Sequence, residues 1–245
     1  MDQGLVRGIY GEATQISSLR EADRVLDFFE RGLRRQGASH VLVTGLPLPR
    51  RAASKLILRI VWPDLRNGGH VIDVSNTDPL LRRCLGTRRA FGIGPNPLGD
   101  EGVAEASETL SRSDLIAAAG GPVARLIAVP IHDLNPYQGC VVIAGQDLDF
   151  DPATIAGLEY YCLAAFRTLI EVGRLDPTRP GELSDRERHV LTLSAAGKTA
   201  SEIAGLLEIS QRTVHAHLQN ACDKMNAANK TQTVVEALRY GQIVL

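Results

Sequence analysis

The sequence predicts an α+β N-terminal domain, an antiparallel sheet between helix layers, followed by an all-α four-helix domain. Three observations predict it. Roughly the first 175 residues mix helical periodicity with short β-like apolar runs. A seam, Arg174-Leu175-Asp176-Pro177-Thr178-Arg179-Pro180-Gly181-Glu182, then interrupts the pattern; its prolines remove backbone donors and disfavour helix at the residue before each. The residues after the seam carry four helix-start signatures in close succession. The expected division is residues 1–175, a short stiff linker at 176–182, and residues 183–245.

Bulk properties agree with two modest soluble domains. The chain has 245 residues, 44% hydrophobic and 22% charged, with a net charge of −1. That composition excludes a disordered chain and a polycation. No apolar run approaches the ~18 residues that span a bilayer, so no membrane partner is expected. Met1-Asp2-Gln3-Gly4 lacks the basic start and apolar core of a signal peptide. The cysteines at 84, 140, 162 and 222 form no C-x-x-C pair, so no zinc site or disulfide framework is expected and a reducing cytoplasm is the simplest setting.

In the first part, Ile16 to Gln36 reads as one amphipathic helix, with Leu19, Val25, Leu26, Phe29 and Leu33 apolar. His40 to Thr44 and Lys55 to Trp62 read as strands. Asp78-Pro79 reads as a helix start with proline at the first helical position. Arg125 to Ile131 and Gly139 to Ala144 read as strands joined by a turn at Asn135-Pro136-Tyr137-Gln138. A helix from about Pro152 to Val172 closes the domain. Terminal helices with hairpin-linked strands between them are the α+β pattern.

In the last part each helix start has a chemical cause. Ser184-Asp185-Arg186-Glu187 and Thr199-Ala200-Ser201-Glu202 are capping boxes, in which the hydroxyl accepts one orphan amide and the carboxylate another. Ser210 and Asn229 offer N-caps for two more helices, and Gly197 supplies a C-terminal stop. Thr199 to Asn226 has a helix-turn-helix pattern: Ile203, Ala204 and Leu207 face inward, Ile209 plugs the turn, and Val214, Leu218, Ala221 and Met225 form the second inward stripe. The opposite face carries Arg212, Ala216, Gln219, Asn220 and Asp223, flanked by Thr213, His215 and Lys224. A long polar face of this size suits the DNA major groove, which admits one helix. A small four-helix interaction module is the competing reading.

The residues Leu183-Ser184-x-Arg186-Glu187-x-x-Val190-Leu191, Ala196-Gly197-Lys198-Thr199-x-x-Glu202-Ile203-Ala204, Leu207-x-Ile209-Ser210-x-x-Thr213-Val214-x-x-His217-Leu218 and Lys224-Met225-Asn226-Ala227 carry a resemblance. The module resembles the LuxR-type helix-turn-helix family of bacterial transcription regulators. The resemblance implies that Ser210 to Asn226 is the recognition helix and that His215 and Gln219 read base edges, glutamine pairing with adenine and histidine donating to guanine. Ala216 would meet a thymine methyl or let the backbone approach. Thr213 and Asn220 belong to the same face. Lys198, Thr199, Ser210, Arg212, Lys224 and Lys230 would hold phosphates. Residues 181–245 hold seven basic and seven acidic side chains, so a monomer should bind duplex DNA weakly. A homodimer on a palindromic operator is therefore expected. Val234, Val235, Leu238 and the tail Ile243-Val244-Leu245 either form part of the dimer seam or close the module's core.

Residues 10–175 resemble the acyl-homoserine-lactone-binding domain of the quorum-sensing branch of that family. Trp62, Asn76-Thr77-Asp78-Pro79, Val129-Pro130-Ile131 and the Gly139 strand start carry this resemblance. It implies an autoinducer-binding-like sensor and dimerisation domain, a small-molecule signal, and Trp62, Asp78 and Phe91 as ligand contacts. Core filling for Trp62 and helix capping for Asp78 are the alternatives. Between Trp62 and Asp78, where the family places pocket-lining aromatics, residues 63–75 contain no tyrosine. The usual lactones lose apolar area and an orienting hydroxyl there, which predicts weak or no lactone binding.

Other signals carry no chemistry. Gly92 to Gly99 contains two prolines and opens no helix, so it reads as a surface loop. His215 and His217 are two apart and share no helix face for a metal. No H-E-x-x-H or G-x-S-x-G motif is present, so no catalytic residue, cofactor or metal is expected. The expected function is a cytoplasmic, dimeric DNA-binding regulator controlled by a small molecule or partner. The alternative is a ligand-independent or DNA-binding-deficient regulator that sequesters related regulators by heterodimerisation.

Overall fold

A computed structural model describes residues 3–46, 56–62, 78–94, 113–119, 125–134, 137–175 and 183–244. The linker at 176–182 and the segment 63–77 after Trp62 lie outside the described residues.

Of the span Ile16 to Gln36 read as one helix, Ala22–Arg35 forms α2, while Ile16 ends a preceding helix, α1 (Gln3–Ile16), that was not expected. The break has a local cause. Ser17 Oγ donates to Ala13 O at 3.0 Å and Ser18 Oγ to Gln15 O at 2.7 Å, so the hydroxyls take carbonyls that would otherwise propagate the helix. Helix α2 buries Val25, Leu26, Phe29, Gly32 and Leu33, the stripe its periodicity required.

The sheet has five antiparallel strands in the order β2 (Ile57–Val61), β1 (His40–Gly45), β5 (Tyr137–Ala144), β4 (Leu126–Leu134), β3 (Phe91–Ile93). Its two faces feed separate cores. Val41, Val43, Ile127, Val129, Val141 and Ile143 pack with residues of α1, α2 and the long helix α5 (Pro152–Glu171). Leu42, Leu126, Ala128, Cys140, Val142 and Ala144 pack with Trp62, α3 (Pro79–Gly86) and α4 (Asp114–Ala118). Helices therefore cover both faces, which is why the central strands read as continuous apolar runs. Arg59, in register with Val43, pairs with Asp27 and Glu30 of α2, and the β-bulge that follows skips Leu58.

Strand β3 and helix α4 were not anticipated. Phe91-Gly92-Ile93, whose last two residues open the stretch read as a surface loop, pairs with Ala128-Ile127-Leu126, while residues 95–99 lie outside the described set. Arg82, Arg88 and Arg89 are exposed as expected, but Arg83 sits half-buried with its guanidinium 4.4 Å from the Phe91 ring centroid. Cys140 and Cys162 are fully buried small apolar residues, as read.

Gly145, which follows β5, has no room for a side chain: an added Cβ would lie 2.1 Å from the carbonyl oxygen of Gly37. Backbone cannot yield as a side-chain tip does, so Gly145→Ala should cost about 1–3 kcal/mol by overpacking. That corresponds to a fall of roughly 2–12 °C in the Tm of a domain this size, readable by thermal unfolding.

The last four helices are α6 (Asp185–Ala195), α7 (Ala200–Leu207), α8 (Gln211–Lys224) and α9 (Lys230–Arg239). Ser184 and Thr199 form complete capping boxes with Glu187 and Glu202. Ser210 and Asn229 accept from the amides of Thr213 and Gln232. Gly197 follows α6 at φ +84°, donating to Ser194 O while Lys198 N reaches back to Leu193 O. Two small clusters hold the module, one built on Leu183, Leu191, Ala221, Met225, Ala237 and Ile243, the other on Val190, Ile203, Ala204 and Val214.

Candidate nucleic-acid interface

Helices α7 and α8 are joined by a turn built from two residues. Glu208 takes the left-handed conformation at φ 54° and lets the Ile209 amide return to Ala204 O at 3.0 Å. Ile209 then packs against the cluster of Ile203 and Val214, and Ser210 opens α8. The inward stripe of α8 is Val214, Ala221 and the following Met225, all buried, with Leu218 half-buried between them.

The opposite face of α8 is open. Arg212, His215, Ala216, Gln219, Asn220 and Asp223 are all exposed, and Thr213 is half-buried beside them. Among the described residues, Arg212, His215 and Asn220 make no hydrogen bond or ion pair, so their polar groups remain available. Gln219 Nε2 donates to Asp223 Oδ1 at 3.0 Å, one turn along. At 14 residues, and with ~1.5 Å of rise per residue, α8 presents a rod about 20 Å long.

Apart from Lys224, the residues expected to hold phosphates divide into two kinds. Lys198 is exposed, 4.0 Å from Glu202, and Lys230 is exposed at the start of α9 with no partner among the described residues. Thr199 and Ser210 are engaged in their own caps: Thr199 Oγ1 donates to Glu202 Oε2 at 2.8 Å, and Ser210 Oγ accepts from Thr213 N at 3.1 Å and lies 2.8 Å from Thr213 Oγ1. The Thr199 amide and hydroxyl together hold the Glu202 carboxyl below its usual range. Lys224 differs from both kinds. Its ammonium donates to Glu187 Oε2 at 2.9 Å, a partner 37 positions away that no local pattern discloses.

Trp62 and Phe91, expected as ligand contacts, belong to the core on the α3–α4 side of the sheet, and Asp78, also expected, caps α3, whose Leu80, Leu81 and Cys84 line that core; all three are buried. Asp78 Oδ1 accepts from Leu80 N at 2.8 Å and Leu81 N at 3.4 Å. Ser113, which sequence reasoning did not single out, spans the carboxylate, with Oγ 3.1 Å from Oδ1 and 3.0 Å from Oδ2. Burial raises the Asp78 pKa, against the pull of Ser113 and the two amides. The Trp62 ring lies 5.1 Å from the His40 ring, and its buried Nε1–H has no acceptor among the described residues.

A helix-turn-helix whose second helix turns an open polar face outward, joined to an antiparallel-sheet domain, defines a DNA-binding transcription regulator. Residues 181–237 match the family described as bacterial regulatory proteins, luxR family. The chain is 31% identical over 228 residues to the transcriptional activator protein BjaR1 of Bradyrhizobium diazoefficiens, covering 90% of each chain. It is 29% identical over 226 residues to the HTH-type quorum sensing-dependent transcriptional regulator RpaR of Rhodopseudomonas palustris, covering 92% of this chain and 90% of that one. The crystal structure of Escherichia coli SdiA shares the fold with a TM-score of 0.53 at 19% identity, over 97% of this chain and 98% of that one. The chain belongs to the LuxR family of bacterial transcription regulators. No described helix is long and apolar enough to cross a membrane.

Proposed function

We propose that the chain is a dimeric, cytoplasmic regulator that reads a palindromic operator with paired copies of α8, under the control of a small molecule held between the sheet and α3–α4. The open face of α8 carries the reading. His215 and Gln219 face base edges, with Ala216, Asn220 and Thr213 beside them, and Arg212, Lys198 and Lys230 face phosphates. Thr199 and Ser210 have spent their hydroxyls on caps, so they meet the backbone through helix N-terminal amides. Because the module's charges cancel, affinity comes from two modules acting together. Val235, Leu238 and Val244 are exposed at 53%, 37% and 54%, and these are the apolar side chains available to a partner module. Val234 and Ile243 pack into the module's own core, so the last helix serves both purposes.

The ligand reading rests on two polar groups beside the second core. Among the described residues the buried Trp62 N–H has no acceptor, and Asp78 Oδ2 shares one hydroxyl proton with Oδ1. A ligand bearing a carbonyl and an N–H satisfies both, but the usual lactones also need the aromatic area and orienting hydroxyl that residues 63–75, with no tyrosine, do not supply. The relative named as quorum sensing-dependent supports control by a quorum-sensing signal. Ligand binding would act by population shift, favouring the dimer geometry that spaces the two recognition helices.

Gel-shift selection from a pool of randomised duplexes tests the function: enrichment of a two-fold sequence supports it. Failure to enrich any duplex, with stable pairing to a related regulator, would favour the sequestering alternative. A thermal-shift screen tests the pocket. The usual acyl-homoserine lactones should raise Tm little or not at all, and a shift of many degrees with one of them would overturn that expectation.

A further inference from the structure

Lys224 is the last residue of α8, and its ammonium does not point along an open groove. It reaches Glu187 Oε2 at 2.9 Å, the same oxygen that accepts the Ser184 amide at 2.7 Å to close the capping box of α6. The Glu187 side chain is 5% exposed and that of Lys224 37%. Burial alone would raise the Glu187 pKa, but the bonds from Lys224 and Ser184 outweigh it and hold the carboxyl below its usual range. One carboxylate oxygen thus ties the N-terminus of α6 to the C-terminus of α8. A cation at a helix C-terminus also answers the helix dipole.

We infer that Lys224 is a positioning residue: through Glu187 it fixes the tilt of the recognition helix against α6, and it is not a phosphate ligand. The inference rests on α8 being the groove-reading helix. At its other end α8 is anchored by Ser210 and the packing of Val214. Ala221 and Met225 keep the C-terminal turns of α8 packed, so without the Lys224–Glu187 tie those turns shift slightly rather than detach, which misplaces Gln219 more than Arg212. Specific binding then suffers while the count of phosphate contacts stays the same.

The two roles give opposite readouts. A lost phosphate contact lowers the slope of log K against log salt by about 0.9 and weakens every duplex alike. A lost tie leaves the slope in place and lowers the ratio of operator to random-duplex affinity. The probe is the palindromic duplex selected by the wild-type chain, compared with a random duplex of equal length. Lys224→Met and Glu187→Gln should each lower that ratio about tenfold with an unchanged salt slope. The double variant should lose no more than either single one, and Lys224→Arg should restore most of the ratio. Glu187→Gln keeps an oxygen for the Ser184 amide, so the cap and the fold persist. A reduced slope for Lys224→Met, with wild-type binding by Glu187→Gln, overturns the inference. Thermal unfolding of the same four proteins reads the tie without DNA: non-additive Tm losses support it and additive losses refute it, even if no duplex binds and the DNA reading itself fails.

Discussion

Gln219→Ala and His215→Ala should each reduce discrimination between the selected operator and a single-mismatch duplex by about 10- to 100-fold, because a well-formed pairing to a base edge contributes about 1–3 kcal/mol of discrimination. Both side chains are exposed and neither holds the fold, so stability should change by no more than the ~0.5 kcal/mol typical of surface substitutions. Gln219 is pre-oriented by Asp223 at 3.0 Å, so Asp223→Ala should weaken discrimination at the same base pair to a smaller degree. Arg212→Ala provides the contrast: operator and random duplex should weaken together and the salt slope should fall by about one contact. Equilibrium anisotropy at several salt concentrations measures all four. Unchanged discrimination for both Gln219→Ala and His215→Ala would remove α8 from the groove.

What could be read in advance depended on whether the cause was local. The four caps of the last domain are interactions across three residues, so Ser184, Thr199, Ser210 and Asn229 announced their helices. The α8 faces followed from periodicity alone. Periodicity starts α2 six residues early, at Ile16 rather than Ala22, because Ser17 and Ser18 end α1 without interrupting the apolar period that Leu19 continues into α2. Strand β3 is three residues long, too short to alternate, and exists because β4 offers an edge. The contacts that refine the site were the least visible. Glu187 announced itself as a cap, and its second role needs α6 and α8 already packed. Ser113 meets Asp78 across 35 positions, through a helix of five residues that carries almost no periodicity.

Asp78 should separate folding from ligand control. Asp78→Ala removes the cap of α3, about 1 kcal/mol, and leaves the Ser113 hydroxyl buried without its acceptor, about 1–3 kcal/mol more. The N-terminal domain should therefore lose roughly 2–4 kcal/mol, or about 5–15 °C in Tm. Asp78→Asn keeps an oxygen for the amides of Leu80 and Leu81, and its NH2 can donate to Ser113, so it should fold nearly as well. It should nonetheless retain far less of any N–H-bearing ligand, since Oδ2 has become a donor. Mass spectrometry of small molecules carried through purification reads that difference. Charge gives an independent check. Burial raises the Asp78 pKa above its ordinary 3.8, so the folded domain holds this proton more tightly than the unfolded chain. Its contribution to stability is greatest below 3.8 and declines as pH rises through the folded value. Asp78→Asn should abolish that decline, and Trp62→Phe should preserve it while losing the ligand. If Asp78→Asn and Trp62→Phe both retain the wild-type complement of small molecules, then Asp78 is a helix cap, Trp62 is core, and the signal enters elsewhere.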